Sequence, residues 1–215
     1  MDVLLKRYSL LENQNVPRET FQDFESFISM LINENQKINI ISKKNAMREI
    51  IRDRHIVDSA QVIDFIDLNS EIITDIGTGG GMPGIIISII AKNMKKRVKL
   101  NLYEKSHYKS AFLRKVSRDL NLNTEVLQKN IFEEHGLESG TIVARAFKPL
   151  PIVLELVHKN FSNYKNLILF MGKNGEKILN DALKDWAFDF EKKKSVTSED
   201  SFLLNIKNIK KKFLN

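Results

Sequence analysis

The chain has 215 residues, a formal charge of +7 at pH 7 and no cysteine. Its length fits one α/β domain with an appendage. The missing cysteine excludes disulfides, thiolate metal sites and a cysteine nucleophile. No apolar stretch approaches the length of a membrane span, and the N-terminus lacks the apolar run of a secretory signal, so we expect a cytoplasmic protein without a membrane partner. The excess of basic residues favours a nucleic acid as partner, although a composition rich in Lys, Asn and Ile would produce the same charge.

Apolar residues at helical spacing predict an N-terminal helical extension over residues 1–67. A polar connection is expected within it at 33–45, and the remaining residues, 68–215, are assigned to the α/β domain that this extension precedes. The apolar groups that carry the helical pattern are Leu4, Leu5, Tyr8 and Leu11, then Phe24, Phe27, Ile28 and Leu31, then Ile56, Ala60 and Ile63.

From residue 68 onward, strand patterns alternate with helical patterns. The predicted strands are 72–76, 98–102, 124–127, 141–146 and 167–171, and the predicted helices are 83–93, 109–120, 153–161 and 178–183. Segments 186–190 and 202–206 then predict an antiparallel pair at a sheet edge, and we expect the basic segment 207–212 to fray. This order predicts an α/β fold with a doubly wound, mostly parallel sheet and a C-terminal antiparallel hairpin.

A glycine-rich loop between the first strand and its helix predicts a cofactor site. Asp75, Gly77, Gly79 and Gly81 match the D-x-G-x-G-x-G form of methyltransferases, whereas Gly79, Gly81 and Gly84 also match the dinucleotide pattern of an NAD-dependent oxidoreductase. A carboxylate here would repel a pyrophosphate but suits the sulfonium and amino group of S-adenosylmethionine. We therefore favour a Rossmann-like class I S-adenosylmethionine-dependent methyltransferase fold. A simple turn without ligand is disfavoured, since so many glycines cost conformational entropy.

The carboxyl ends of the other strands are the next candidates, because ligands bind at that edge of a doubly wound sheet. Glu104 follows the second strand and is placed to accept hydrogen bonds from both ribose hydroxyls. After the third strand, Ile131 and Phe132 could supply an apolar slot for adenine, although a core pair under a loop would give the same pattern. The fourth strand ends in a basic, aromatic segment that contains Arg145 and Lys148.

The residues at the end of the fourth strand limit which chemical groups could accept the methyl group. This strand end lacks the Asn/Asp-Pro-Pro-aromatic motif of exocyclic-amine methylation, the chain has no cysteine for pyrimidine C5 methylation, and no carboxylate cluster suggests a metal. An acceptor that needs no deprotonation remains, and guanine N7 has a free lone pair. We expect Arg145 to position the reactants, without a general base and without a metal.

Basic residues recur near the predicted strand ends, where they could contact RNA phosphates. Taken singly, most of them would be solvated surface charges, and a non-catalytic RNA-binding assembly factor would also account for the charge. Arg52 belongs to this group. The residues predicted to bind RNA are Arg54, His55, Lys109, Lys148 and Lys173.

Four segments together resemble the GidB/RsmG family of bacterial small-subunit rRNA methyltransferases: R-H-I-V-D-S at 54–59, the glycine loop at 75–84, 109–116 with Phe-Leu-Arg at its centre, and A-R-A-F at 144–147. The resemblance implies methylation of N7 of a guanine in the decoding-region loop of 16S rRNA, with S-adenosylmethionine as donor. The partner would be 16S rRNA or the assembling small subunit, and we expect a monomer. The cofactor contacts implied by motif are Gly77, Met82, Glu104, Lys105, Ser106, Ile131, Phe132 and Arg145.

Overall fold

The computed structural model describes residues 8–14 and 16–212, so the helical pattern at Leu4 and Leu5 lies outside the described residues. The α-helices are α1 (Arg18–Asn35), α2 (Arg48–Ile51), α3 (Asp58–Ala60), α4 (Gly84–Asn93), α5 (His107–Asp119), α6 (Leu150–Asn160) and α7 (Gly175–Asp185). The strands are β1 (Ile72–Ile76), β2 (Lys99–Tyr103), β3 (Thr124–Leu127), β4 (Leu137–Ala144), β5 (Phe161–Met171), β6 (Trp186–Lys194) and β7 (Phe202–Lys211).

In the described part of the chain, seven strands form one sheet in the order β3-β2-β1-β4-β5-β7-β6. Strands β1 to β5 are parallel to one another, and β7 runs antiparallel to both β5 and β6. This arrangement confirms the predicted doubly wound, mostly parallel sheet with a C-terminal antiparallel hairpin. The chain reverses direction across the sheet between β1 and β4, and the crevice at such a point is where open α/β sheets bind ligands.

The hairpin differs from the sequence prediction in its length. Strand β7 extends to Lys211, because Lys210 and Lys211 pair with Ala187 and Trp186 of β6. The expectation that 207–212 frays is therefore wrong for Lys207 to Lys211. Alternation of apolar side chains, on which the prediction relied, stops before backbone pairing does.

Side chains on each strand alternate between two cores, one on each face of the sheet. Ile73, Leu102 and Val143 are buried on the face covered by α1, α4 and α5. Ile142 and Leu169 are buried on the other face, covered by α6 and α7. The period of two within each strand explains why the two cores share no residue.

The N-terminal helices cover α4, whose sequence requires burial on all sides. Every residue of α4 from Gly84 to Ala91 is buried, and a helix that is apolar all round cannot face water on any side. Helix α1 packs on this layer: the rings of Phe27 and Phe112 lie 6.4 Å apart, and Asp23 accepts a hydrogen bond from Asn93 Nδ2 at 2.7 Å. The extension therefore shares one core with the sheet.

Between α2 and α3 the helical backbone widens into a π-helical turn, Arg52–Val57. Such turns are frequent at functional sites, because the extra residue redirects side chains. This turn carries the first four residues of the R-H-I-V-D-S segment toward the carboxyl edge of the sheet.

Candidate cofactor and methyl-transfer site

A cavity of about 720 Å³ lies at the carboxyl edge of the sheet, lined by residues that follow the first four strands. Its position is the crevice expected for a doubly wound sheet. The residues predicted from the sequence that line it are His55, Gly77, Gly79, Met82, Glu104, Lys105, Lys109, Ile131, Phe132, Arg145 and Lys148. The predicted residues that lie outside its lining are Arg54, Asp75, Gly81, Ser106 and Lys173.

The glycine loop is held against β2 by backbone hydrogen bonds. The N–H of Thr78 donates to the carbonyl of Tyr103 at 3.0 Å, and the N–H of Gly79 donates to Glu104 Oε2 at 3.1 Å. At Gly77, φ is +71°, and an added Cβ would lie 2.1 Å from the Phe147 ring. Only glycine satisfies both the backbone conformation and the close approach of this ring.

The carboxylate of Glu104 joins the loop to the start of α5. Its second oxygen, Oε1, accepts from the N–H of Ser106 at 2.7 Å. An ionised carboxylate accepts about four hydrogen bonds, so acceptor capacity remains for hydroxyl groups of a ligand in the cavity. Ser106 itself caps α5 through its hydroxyl, which accepts from the N–H of Lys109 at 3.4 Å. Ser106 therefore caps α5 and does not line the cavity.

Asp75 lies beneath the loop and does not line the cavity. Its side chain is fully buried, and Oδ2 accepts from the N–H of Gly84 at 2.8 Å, at the first residue of α4. Burial raises the pKa of Asp75 to about 6, against the hydrogen bonds that favour its charged form. The sequence predicts that this carboxylate faces a cationic ligand; the geometry instead directs it to the helix N-terminus, where a negative charge is stabilised.

Arg145 follows β4, and its side chain is 17% exposed. Nη2 donates to the carbonyl of Arg54 at 2.7 Å and lies 3.2 Å from Asp58 Oδ2, while Nη1 donates to Ser59 Oγ at 3.3 Å. All of these partners belong to the R-H-I-V-D-S segment, so that segment and A-R-A-F meet at one end of the cavity. Burial lowers the pKa of Arg145, and Asp58 and Asp75 counter this shift. We expect the guanidinium to remain charged at every working pH.

His55 is neutral in this environment. Its Nδ1 lies 3.1 Å from Arg145 Nη2, and a guanidinium only donates, so Nδ1 accepts and hydrogen bonding assigns the proton to Nε2. Burial, together with the charges of Arg145 and Arg54, lowers the pKa of His55 to about 4. His55 therefore brings no positive charge to an RNA phosphate, which was the basis for predicting it as an RNA contact. Nε2 is buried without a hydrogen-bond partner among the described residues.

The family comparison agrees with this geometry. The family model for GidB, rRNA small subunit methyltransferase G, matches residues 20–205. The Ribosomal RNA small subunit methyltransferase G of Pelagibacter ubique (strain HTCC1062) is 72% identical over 212 residues, which are 99% of this chain and 100% of that protein. The chain belongs to the GidB family. The resemblance drawn from the sequence is confirmed.

Solved structures place this GidB-family chain in the fold of S-adenosylmethionine-dependent methyltransferases. MtNAS in complex with S-adenosylmethionine superposes with a TM-score of 0.56 at 16% identity, covering 84% of this chain and 72% of that chain. A SAM-dependent methyltransferase from Aquifex aeolicus superposes with a TM-score of 0.53 at 15% identity, covering 69% of this chain and 88% of that chain. At these identities the likeness concerns the fold.

The lysines predicted at the site fall into two groups. Lys105, Lys109 and Lys148 line the cavity of this GidB-family protein, whereas Lys173 is exposed after β5 and lies outside the lining. Arg54 has an exposed side chain, although its carbonyl is used by Arg145.

Arg52 is one of the sequence-predicted basic residues that the structure removes from the surface. It is 6% exposed, and its Nε donates to Glu25 Oε1 at 2.8 Å. A guanidinium buried against a carboxylate cannot also reach an RNA phosphate, so Arg52 belongs to the packing of the N-terminal helices.

Ile40 lines the cavity, although the sequence predicts only a polar connection around it. Asn35, buried at the end of α1, accepts from the N–H groups of Ile40 and Ile41 at 2.8 and 2.9 Å, and this turns the segment back toward the loop. The apolar cluster at 38–41 within a polar stretch is the signal that could have found it.

Phe147 forms a wall over the glycine loop. Its ring lies 5.9 Å from that of Phe132 at an interplanar angle of 23°. Both rings line the cavity, and Phe132 is 39% exposed. The aromatic wall links the residues that follow β3 and β4.

Within residues 8–14 and 16–212 there is neither a metal-binding cluster nor a membrane-spanning helix. No three His, Asp or Glu side chains there are grouped so that they could hold a metal ion. Nor does any helix in that part of the chain have the length and apolar character needed to cross a membrane.

Proposed function

We propose that this GidB-family protein transfers a methyl group from S-adenosylmethionine to N7 of a guanine in the decoding-region loop of 16S rRNA. The observation that carries the proposal is the meeting of R-H-I-V-D-S with A-R-A-F at one end of a cavity whose other end is formed by the glycine loop and Glu104. The end of the cavity near Arg145 is basic and polar. The end near the glycine loop offers hydrogen-bond acceptors for the hydroxyl groups of a ligand, and an apolar wall.

The residues at the loop end fit S-adenosylmethionine. Glu104 keeps free acceptor capacity for the two ribose hydroxyls, and Ile131 and Phe132 give an apolar surface for adenine. At Gly79 an added Cβ would meet only the Gly77 carbonyl, at 3.8 Å, so the backbone there leaves room for the close approach of a ligand. When bound, the cofactor supplies an electrophilic methyl group on a sulfonium centre.

The other end of the cavity would hold the guanine. N7 has its own lone pair and loses no proton when it is alkylated, so the chain has to position the base rather than activate it. Arg145 would orient the reactants with a fixed positive fork, and the neutral His55 beside it would not act as an acid at pH 7. We propose that no metal takes part.

The lysines that line the cavity support an RNA substrate. We propose that Lys109 and Lys148, together with the exposed side chain of Arg54, contact phosphates on either side of the target base, with Lys173 further along the same edge. We further propose that the protein acts as a cytoplasmic monomer on 16S rRNA or on the assembling small subunit. Residues 1–67 would form the helical extension, and residues 68–215 the methyltransferase domain.

The test is transfer of labelled methyl groups from S-adenosylmethionine to small ribosomal subunits and to free 16S rRNA, both prepared from cells lacking the protein. Mass spectrometry of the digested RNA should show 7-methylguanosine in the decoding-region fragment. The proposal fails if neither substrate gains this nucleoside.

A titration provides the matching binding test. S-adenosylhomocysteine should bind, and Glu104→Ala should weaken its binding because both the ribose acceptor and the anchor of Gly79 are lost. Binding of NADH without binding of S-adenosylhomocysteine would instead favour the oxidoreductase interpretation of the glycine pattern.

A further inference from the structure

The turn between β6 and β7, residues 195–201, lies at the same edge of the sheet as the cavity. Met171, the last residue of β5, pairs with Phe202 at the start of β7, and Phe202 also pairs with Lys194 at the end of β6. Because β5 is parallel to β4 and β1, Met171 marks the carboxyl edge. The turn is therefore a neighbour of the strand ends that build the site.

Asp58 connects this turn to Arg145. Its Oδ2 faces Arg145 Nη2 at 3.2 Å. Its Oδ1 accepts from Thr197 Oγ1 at 2.9 Å and from Gln61 Nε2 at 2.8 Å, and more weakly from Ser195 Oγ of the turn at 3.4 Å. Oε1 of Gln61 accepts from the N–H of Val196 at 3.1 Å, so a hydrogen bond also holds the backbone of the turn. The two oxygens of one carboxylate thus serve two different elements.

The need for such a connection follows from the nature of the arginine side chain. Arg145 has several rotatable bonds, and an unrestrained guanidinium would sample many rotamers at the mouth of an open cavity. A carboxylate selects one orientation of the guanidinium only if the carboxylate itself is fixed by further hydrogen bonds. Asp58 is 16% exposed and receives those bonds from Gln61 and Thr197.

We propose that Asp58 is a positioning residue for Arg145, and that the β6–β7 turn holds Asp58 in place through Thr197 and Gln61. The inference rests on the proposed function, because it takes Arg145 to act at the reacting end of the cavity. Asp58 does not line that cavity and acts through Arg145. The β6–β7 turn thereby helps to position the methyl-transfer site.

The first test changes only the turn. Thr197→Val removes the hydroxyl that donates to Asp58 and keeps the side-chain shape, and it should lower kcat for methyl transfer several-fold while leaving the affinity for S-adenosylhomocysteine and the melting temperature unchanged. Thr197→Ser keeps the hydroxyl and should restore kcat. Ser198→Ala is the matched control, because the Ser198 hydroxyl bonds to Ser201 within the same turn.

The second test is a double-mutant cycle with Arg145. Asp58→Asn should lower kcat by about 100-fold, as expected when a positioned group is misplaced. In the Arg145→Ala background, neither Asp58→Asn nor Thr197→Val should cause any further loss, because both act through the side chain already removed. If Asp58→Asn fails to fold, the cycle of Thr197→Val with Arg145→Ala gives the same answer.

The outcomes separate the two proposals. Losses that add up in the double variants, or wild-type kcat in both Asp58→Asn and Thr197→Val, would overturn the positioning role while the wild-type enzyme still methylates rRNA. Absence of methyl transfer by the wild-type enzyme would instead overturn the proposed function, and the inference with it.

Discussion

Two arginines of this chain are surrounded by protein, and only one of them faces the cavity. Arg52, in the π-helical turn, donates to Glu25 Oε1 at 2.8 Å, and its Cζ lies 5.9 Å from the centre of the Tyr8 ring. Arg145 is held by Asp58, His55 and backbone of the same helical segment, yet it lines the cavity. Each cluster pairs an arginine with a carboxylate, but only the Arg145 cluster borders the cavity.

Their carboxylates explain the difference. Burial alone would raise the pKa of Glu25, but hydrogen bonds from Arg52 and Tyr8 outweigh it and hold the pKa below its usual range. At Arg145, burial lowers the pKa, and the charges of Asp58 and Asp75 only partly counter this shift. Removing one partner of a buried, matched pair of charges costs stability, whereas a charge that is only partly compensated beside a cavity points to a functional site.

The strongest test of this comparison is removal of Arg145. Arg145→Ala should reduce methyl transfer to small ribosomal subunits by about 100-fold or more, because the reactants lose a fixed positive group. The melting temperature should fall as well, because Asp58 is only 16% exposed and loses its counter-charge, so methyl transfer is measured well below that temperature. Arg145→Lys is the matched control: it keeps the charge without the planar fork, and its activity should stay well below wild type. Full activity of Arg145→Ala would refute the assignment.

For the cluster of Arg52 and Glu25 we expect a loss of stability without a loss of activity. Glu25→Gln should lower the free energy of unfolding by about 2 to 3 kcal/mol, somewhat less than for a fully buried pair, because it leaves Arg52 buried without its counter-charge. Urea unfolding measures this loss, and kcat below the melting temperature should be unchanged. Glu49→Gln, an exposed change on α2, is the control. A Glu25→Gln variant with normal stability but low kcat would reverse the roles given to the two clusters.

His55 provides a pH test of the cluster around Arg145. Its pKa is about 4 in the folded protein against an ordinary value of 6.5, so the unfolded chain binds more protons between these values. His55 therefore makes the free energy of unfolding rise as the pH increases from about 4 to 6.5, and His55→Gln should lose this rise. Urea unfolding at a series of pH values measures it. An identical pH dependence in the variant would show that the imidazole is not held neutral.

Asp75 should act in the opposite sense over nearly the same range. Its pKa is about 6 in the folded protein against 3.8, so the folded chain binds more protons and stability falls as the pH rises from about 4 to 6. Asp75→Asn keeps an oxygen for the Gly84 N–H and should remove this fall, so its stability relative to wild type improves toward neutral pH. The same unfolding series decides, and a constant difference between the two proteins would exclude the buried titration.

The smallest effect is expected at the mouth of the cavity. Lys148→Gln should weaken rRNA binding a few-fold and reduce the slope of log affinity against log salt by about 1, as for one lost phosphate contact. Lys165→Gln is the control, because Lys165 pairs with Asp67 away from the cavity. Equal salt slopes for Lys148→Gln and wild type would remove this lysine from the RNA contacts.

Much of the fold could be predicted because its signals are local. Alternating apolar residues mark strands, and the glycine loop after β1 marks the edge of the sheet where the cavity lies, since only glycine allows the backbone at Gly77. The family assignment rested on four short segments read together. Each of these signals depends on residues close in sequence.

The site could be predicted only in part, because the partner of a charged side chain is decided by tertiary contacts. Asp75, Ser106 and Arg52 all lie near predicted strand ends or basic runs, yet they serve a helix start, a helix cap and a buried ion pair. Ile40 reaches the cavity through a turn anchored by Asn35, and no periodic pattern records such a turn.

The sequence by itself determined the order of strands and helices along the chain, the glycine loop and the family, because hydrophobic period, glycine conformation and short motifs are properties of neighbouring residues. Only the tertiary structure decided that Arg145 contacts Asp58 and His55, and that the β6–β7 turn is hydrogen-bonded to Asp58. The physical reason is that burial and hydrogen bonding across the sheet set both the charge and the orientation of these groups, and residues far apart in sequence supply those contacts.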